Sequence, residues 1–515
     1  MWINGLRRCT YTNTSEDTVT SQKGLIIAVC AFVMFCLYIH HLHRKYDHLP
    51  GPRRRSFLFG NLQELAENKA KGIYFPQLTA IWRKIHGPVY VVYLLHKAII
   101  VIAEPAVVKE IGLNPENTKP DSFAKTLGSV FGQRIGGRGL FTETNHEKWS
   151  KQRKLFDPAF RRKYLIGLLG IFNDCADKAV DYLNEFADGK TEIRMADVCG
   201  RVTLQTIGTS TFGMKEMNVI SEPDNYFTKA INNVFHAACL LFHNAFLTEY
   251  DPRKSMRIFR EDVREGGAFI RKTAKDAIIT RMEEVKRGEE TVNDILSFIL
   301  RASQSLKDDL NFGLEEMIDE FVTFFVAGQD TTANLLASCL LCLGRYPHIM
   351  KTLRKEVDDV VGDKQHISQH ELNKLEYLSL VIKETLRLYG PAGGFHKICG
   401  KEFNACGYTI PAGSFIMLSH QAVVSDERFF DDPDTFDPER WRKEDPRRMY
   451  AYFPFAIGPR SCIGQNFALM EAKIVLAKLL QNFDISLVPE QSFDVVTLIT
   501  TRPKDGTMCY LTRRT

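Results

Sequence analysis

The 515-residue sequence has no strong excess of charge of either sign, since 67 Lys and Arg face 62 Asp and Glu for a formal net charge of +5. Over this length that gives little support to nucleic-acid binding. After the first fifty residues the chain also lacks Ser/Gly-rich linkers, low-complexity tracts and fixed-period repeats. A prior of about 150 residues per domain suggests three domains, but it finds no boundary here, so one large domain is expected. No disulfide framework or zinc spacing is evident. The twelve cysteines are scattered singly, several of them in apolar stretches (Cys30, Cys36, Cys239), as for reduced thiols facing the cytosol. The one close pair, Cys339 and Cys342, lies in the apolar run from Leu335 to Leu343 with no two further ligands nearby. What is present is an ordinary globular balance of 44% hydrophobic and 25% charged residues. Local basic clusters such as Arg161, Arg162 and Lys163 could dock an acidic protein or a membrane surface.

Gly24 to Ile39 is an uninterrupted apolar or small run that Leu42 extends. It approaches the roughly 20 residues of a membrane span. It is long for a signal-peptide core, and no clear small-x-small cleavage site follows it. Positive charge after the run, at His41 to Lys45 and Arg53 to Arg55, places the bulk of the protein on the cytosolic side. Glu16 and Asp17 argue against a mitochondrial transit peptide. The expected order is a lumenal N-terminus over 1–23, an anchor over 24–42, a basic and proline-rich hinge over 43–55 and a catalytic domain over 56–515. Asn13, Thr14 and Ser15 form a glycosylation sequon in the lumenal segment. A single-pass protein of the endoplasmic reticulum membrane fits this order.

Val89 to Leu94 and Ala98 to Ile102 read as two β-branched strands joined by a turn at His96 and Lys97. Long helical patterns then dominate, and Lys504, Asp505 and Gly506 suggest a hairpin turn between two final strands. The fold class is mainly α with small β-sheets. A helix is predicted from about Leu314 to Arg345, spanning roughly 48 Å at 1.5 Å per residue. Its middle, Phe324 to Thr332, sets small and polar residues in an apolar helix, where Gly costs about 1 kcal/mol relative to Ala. That cost points to function.

The most specified pattern is Phe455-Ala456-Ile457-Gly458-Pro459-Arg460-Ser461-Cys462-Ile463-Gly464, directly before a helical pattern from Gln465 to Leu480. Each residue has a task if a haem sits there. Cys462 would supply an anionic sulfur to the iron. Amides at the following helix start would donate to that sulfur. Gly458 and Gly464 would let the backbone turn and approach the porphyrin. Arg460 would pair with a propionate and Phe455 would shield the sulfur from water.

These residues resemble the cysteine-ligand signature of the cytochrome P450 superfamily. The resemblance implies that family's helical fold, haem b with a thiolate ligand, and monooxygenation with NADPH electrons delivered by NADPH-cytochrome P450 reductase, with cytochrome b5 as a further partner. Glu384-Thr385-Leu386-Arg387 resembles its ExxR element, and Arg440 in Phe436-Asp437-Pro438-Glu439-Arg440 matches the third member of its structural cluster. Trp149 and Arg153 are similar to its propionate-binding pair. Ala327, Gly328, Asp330 and Thr331 resemble its oxygen-activating motif. There Ala327 and Gly328 leave space beside iron, Thr331 holds a water and Asp330 relays protons.

Several longer stretches resemble the cholesterol 24-hydroxylase branch of that family: Val130 to Gln133, His146 to Arg153, Phe321 to Gly328, Tyr452 to Glu471 and Arg502 to Leu511. The substrate this implies is a sterol or similarly apolar lipid taken from the membrane, with Phe123, Leu127 and Phe131 lining the pocket. Two departures stand out. Lys397, preceded by His396, takes the place of a propionate-binding Arg, and Gly393 and Gly394 replace bulkier residues, which suggests a wider or different pocket. A fatty-acid or xenobiotic monooxygenase is the alternative. A haem-thiolate isomerase or dehydratase would not need the Asp330 and Thr331 relay, and a non-catalytic lipid-binding protein would not need an intact Cys462 loop.

Overall fold

The computed structural model describes residues 14–95, 97–289, 294–305 and 313–514. The sequon at Asn13 and the turn residue His96 lie outside the described residues. A single helix, Thr14–Tyr46, opens the described chain, and its segment Lys23–Tyr46 is long and apolar enough to cross a membrane. Leu25, Ile26, Ile27, Phe32, Met34 and Leu37 all stand exposed on it. The helix extends past the expected anchor bound at 42. The helix runs on through His43, Arg44 and Lys45, and Ile39, His43 and Tyr46 are already buried against the body of the protein. Tyr46 Oη lies 3.0 Å from Ser414 Oγ. The Pro50 carbonyl then accepts a 2.9 Å bond from Val91 N. Any Cβ on Gly51 would come within 2.2 Å of the Val91 carbonyl, so this stretch is packed rather than free.

The strand Val89–Leu94 pairs antiparallel with Lys97–Ile102, as the β-branched pattern predicts. Phe415–Ser419 joins parallel to the second of these and Gly394–Ile398 closes the four-stranded sheet. Phe483–Leu487, Met508–Arg513 and Ile193–Arg194 form a second sheet. The predicted final hairpin does not form. The turn at 504–506 exists, but Thr501–Pro503 pairs with Val495–Thr497, while Met508–Arg513 has both edges occupied by Phe483–Leu487 and Ile193–Arg194.

The main core surrounds the central helix Leu314–Arg345, whose bounds match the predicted ones. Glu315 and Glu316 sit in its first turn, where the helix dipole favours them, and Phe321, Val322, Phe325, Leu336 and Leu340 are buried. It ends at Tyr346 because Pro347 disfavours helical backbone in the residue before it. Helix Met195–Phe212 packs closely along it. Helix Gln465–Asn482 follows the cysteine loop into the same core.

Candidate functional site

The loop before helix Gln465–Asn482 is a chain of tight turns. Ala456 and Gly458 have φ of 58° and 83°. Ala456 N donates to Phe453 O at 3.0 Å, Ser461 N to Gly458 O at 3.0 Å and Cys462 N to Phe455 O at 2.9 Å. A Cβ on Gly458 would stand 2.2 Å from the Gly112 carbonyl, so this glycine lets the loop press against helix Pro105–Leu113. Gly464 differs. A Cβ there would meet the Cys462 sulfur at an ordinary 3.8 Å.

Cys462 has an exposed surface, yet enough protein surrounds it that burial pushes its thiol up. The two observations agree if the sulfur faces an internal space rather than bulk solvent. The backbone amides of Gly464 and Gln465 and the charge of Arg153 act on the sulfur in the opposite direction. Arg153 is fixed for this, with Nη1 donating to Ser461 O at 2.7 Å and Nε to Asp157 at 2.5 Å. Its helix, His146–Phe156, is capped by Asn145, whose side chain accepts from Lys148 N at 3.0 Å.

In helix Glu376–Tyr389, Arg387 and Glu384 form a fully buried bidentate pair at 2.9 and 2.8 Å. Arg440 Nε adds a 2.9 Å bond to the same carboxylate. The remaining guanidinium donors find the carbonyls of Val424, Pro433, Thr435 and Asp431. Trp441, which sequence reasoning missed, donates Nε1 to Glu384 at 2.9 Å. Its signal was adjacency to Arg440. Buried charge is tolerated here because nearly every donor and acceptor is matched.

A group of cations gathers on another side. Burial pushes Lys119 down to about 7, with the charges of Arg460 and Lys397 adding to the effect. Burial and then Arg460 push Lys397 down to about 8. Burial pushes Arg460 down to about 10, with Glu143 opposing. Arg460 Nη1 donates to Glu143 O at 2.7 Å and its guanidinium lies 4.3 Å from the Trp149 ring centroid. Lys397 donates to Asn117 O at 3.2 Å. Cations that repel one another in a protein interior are suited to an anionic ligand. Trp149 is buried beneath this group, while Arg153, one turn on, serves the cysteine loop. Lys119 was not foreseen, since nothing in the chain near it shows that it joins residues some 280 to 340 positions away.

In the central helix, Ala327 is exposed although its helix runs through the core, and Thr331 stands one turn further on. Thr331 Oγ1 donates to Ala327 O at 2.8 Å. Gly328 points elsewhere. A Cβ there would come within 2.6 Å of Ile207 Cδ1, so its smallness serves packing with helix Met195–Phe212 and not the face of Ala327. Burial raises the Asp330 carboxyl above its ordinary range, opposed by the Thr500 hydroxyl, the Arg502 charge and the Asn334 amide.

Of the expected pocket residues, Leu127 is half-buried against the main core. Phe131 is buried, at φ 48°, on the turn between strands Ser129–Val130 and Gln133–Arg134, with its ring edge-on to Phe259 at 6.4 Å. The Phe123 side chain lies outside the described residues. Gly393 and Gly394 do not widen a pocket by lacking side chains. A Cβ on Gly393 would meet Pro76 at 2.8 Å, and one on Gly394 would meet the Leu418 carbonyl at 2.2 Å.

A family model described as Cytochrome P450 matches residues 49–509. Cytochrome P450 4d2 of Drosophila melanogaster is 29% identical over 474 residues, covering 87% of this chain and 91% of that one. Cytochrome P450 3A9 of Rattus norvegicus is 28% identical over 483 residues, covering 90% and 91%. A crystal structure of a cytochrome P450 (CYP102L1) superposes with a TM-score of 0.78 at 25% identity, covering 90% of this chain and 99% of that one.

Proposed function

The chain belongs to the cytochrome P450 family, and we propose that it is a membrane-anchored monooxygenase of the endoplasmic reticulum that hydroxylates a sterol or similarly apolar lipid. It is a haem-dependent oxidoreductase whose electrons come from NADPH through a reductase. The haem, when bound, activates dioxygen for insertion of one oxygen atom into a C–H bond. In this reading Cys462 is its thiolate ligand, and the single observation that carries this is an exposed cysteine held in a loop of tight turns, its N donating to Phe455 O, with Arg153 donating to Ser461 O beside it.

The residues present suit such a group. Cys462 would hold the iron as a thiolate, the form that coordination would favour over the buried thiol. Lys119, Lys397 and Arg460 would take the propionates, whose negative charge relieves the repulsion among them. Lys397 offers one point charge where Arg would offer a planar fork. Phe455 lies half-buried against the main core at the loop's start. The exposed Ala327 would leave room for dioxygen, Thr331 would orient a water with its hydroxyl, and Asp330 would supply protons from an enclosed position. Glu384, Arg387, Arg440 and Trp441 tie helix Glu376–Tyr389 to the segment 431–441 that precedes the loop in sequence.

The sterol assignment is supported by the stretches that resemble the cholesterol 24-hydroxylase branch, and by an exposed apolar anchor that brings the domain to lipid. Purified protein, reductase and NADPH incubated with cholesterol and with a panel of fatty acids, followed by mass spectrometry, should yield a hydroxylated sterol. Oxidised fatty acids alone would replace the sterol reading with the fatty-acid one. Turnover without NADPH would point to an isomerase or dehydratase instead.

A further inference from the structure

Asp330 and Thr331 are neighbours in sequence, and successive helical side chains project about 100° apart. They therefore do not face each other without help, and what holds Asp330 matters. Its Oδ2 accepts from Asn334 Nδ2 at 2.9 Å, one turn along the same helix, and from the Thr500 hydroxyl. Thr500 comes from a different element, the tip between the paired strands Val495–Thr497 and Thr501–Pro503. Asn334 also reaches Thr500 Oγ1 at 3.3 Å, so the three side chains close a triangle, with both Asn334 and Thr500 buried. The tip itself is fixed. Leu498 N donates to Thr500 O at 3.2 Å, Thr501 N donates to Pro391 O at 2.9 Å, and the Thr497 and Thr501 hydroxyls lie 3.0 Å apart. Arg502, on the same hairpin, adds its charge toward Asp330.

We propose that Thr500 is a positioning residue for the reaction: its hydroxyl holds the Asp330 carboxyl group in the orientation from which a proton passes toward the water beside Thr331. The inference rests on the reading of Asp330 as the proton-handling residue. In each delivery Asp330 loses one proton and regains one from solvent, so the side chain is unchanged over a turnover. The placement makes the efficiency of oxygen use depend on a hairpin outside the central helix. The loss of one hydrogen bond to a buried carboxyl group is large enough to be visible, and a valine keeps the branched outline of threonine while removing the donor.

The test uses the full-length, haem-loaded protein with reductase, NADPH and cholesterol, as wild type, Thr500→Val, Thr500→Ser, Asp330→Asn and the double variant. Product per NADPH should fall about two- to tenfold in Thr500→Val, the range that one such bond is worth, with substrate KM unchanged and Thr500→Ser close to wild type. The double variant should be no worse than Asp330→Asn. In difference infrared spectra of the substrate-free protein, the carboxyl band that Asp330→Asn abolishes should move in Thr500→Val. Should Thr500→Val fail to take up haem, Thr500→Ala, which only removes volume and the donor, carries the same expectations. If the Thr500 variants leave coupling and the infrared band untouched while Asp330→Asn lowers coupling, the proposal is overturned and the role of Asp330 stands. Unchanged coupling in Asp330→Asn overturns both, and further loss in the double variant shows that Thr500 acts independently of Asp330, which also overturns it.

Discussion

Charges and dipoles set where the individual residues of this site can act. Cys462→Ser keeps the volume of the side chain but offers iron an alcohol, so the red-shifted ferrous carbon-monoxide band is expected to vanish, and its persistence in the variant spectrum would refute the ligand assignment. Thr331→Ala should keep that band, since the hydroxyl donates to Ala327 O and not to the cysteine loop, while less NADPH ends in product. Equal product per NADPH would remove Thr331 from the mechanism. Glu320, on the central helix, presents a different case. Burial pushes it up to about 8 against the pull of the Leu140 amide, with the Asp319 charge adding to the rise. Its Oε2 accepts from Leu140 N at 2.9 Å, whereas its buried Oε1 has no partner among the described residues. Between the ordinary value of 4.5 and about 8 the unfolded chain has released this proton and the folded chain has kept it. Stability therefore falls as pH rises through that window and levels off above it. Glu320→Gln should raise the melting temperature above pH 8, with the gain shrinking toward pH 5, as scanning calorimetry across that range would reveal. A gain that stays constant with pH would contradict the assignment.

Whole elements depend on contacts that two or three residues permit. Gly458 allows the cysteine loop to lie against the end of helix Pro105–Leu113, and its φ of 83° is one that a side chain resists. Gly458→Ala should cost about 1–3 kcal/mol from backbone strain alone, before the clash with the Gly112 carbonyl is counted. The expected readout is a smaller fraction of protein showing the thiolate band. A wild-type fraction would show that the loop can relax away from the helix. The same logic separates Ala327 from Gly328: they are adjacent in sequence, but one leaves an open face and the other meets Ile207. At the buried cluster, Arg387→Lys keeps the charge yet cannot reproduce a bidentate bond to Glu384 together with three carbonyl contacts. Breaking a buried pair costs about 3–5 kcal/mol, so this variant should express without bound haem, and normal haem content would show that the cluster is more tolerant than its geometry implies.

At the scale of the molecule, the N-terminal helix and the body share a border that the apolar run does not mark. Ile39, His43, Tyr46 and Leu49 are buried in the body, so deletion of residues 1–38 should leave thermal stability nearly intact while weakening sedimentation with membranes. Deletion through Leu49 should lower the melting temperature as well, and equal stability of the two truncations would show that the helix end is not part of the fold. The cysteine loop, the central helix with its polar middle and the first two strands were legible in the chain because each is a local pattern of spacing and periodicity. Arg387 and Arg440 as partners of Glu384 were legible only through a resemblance, Trp441 only through its adjacency to Arg440, and Lys119, Asn334 and Thr500 were not legible at all. Nor did the local turn at 504–506 foretell that its flanking strands pair with other segments. By itself, then, the sequence determined the chemistry that Cys462, Asp330 and Thr331 could carry. Only the tertiary structure decided which side chains surround them, because those contacts join residues separated by up to several hundred positions, and burial, shape and competition among neighbours choose between the pairings.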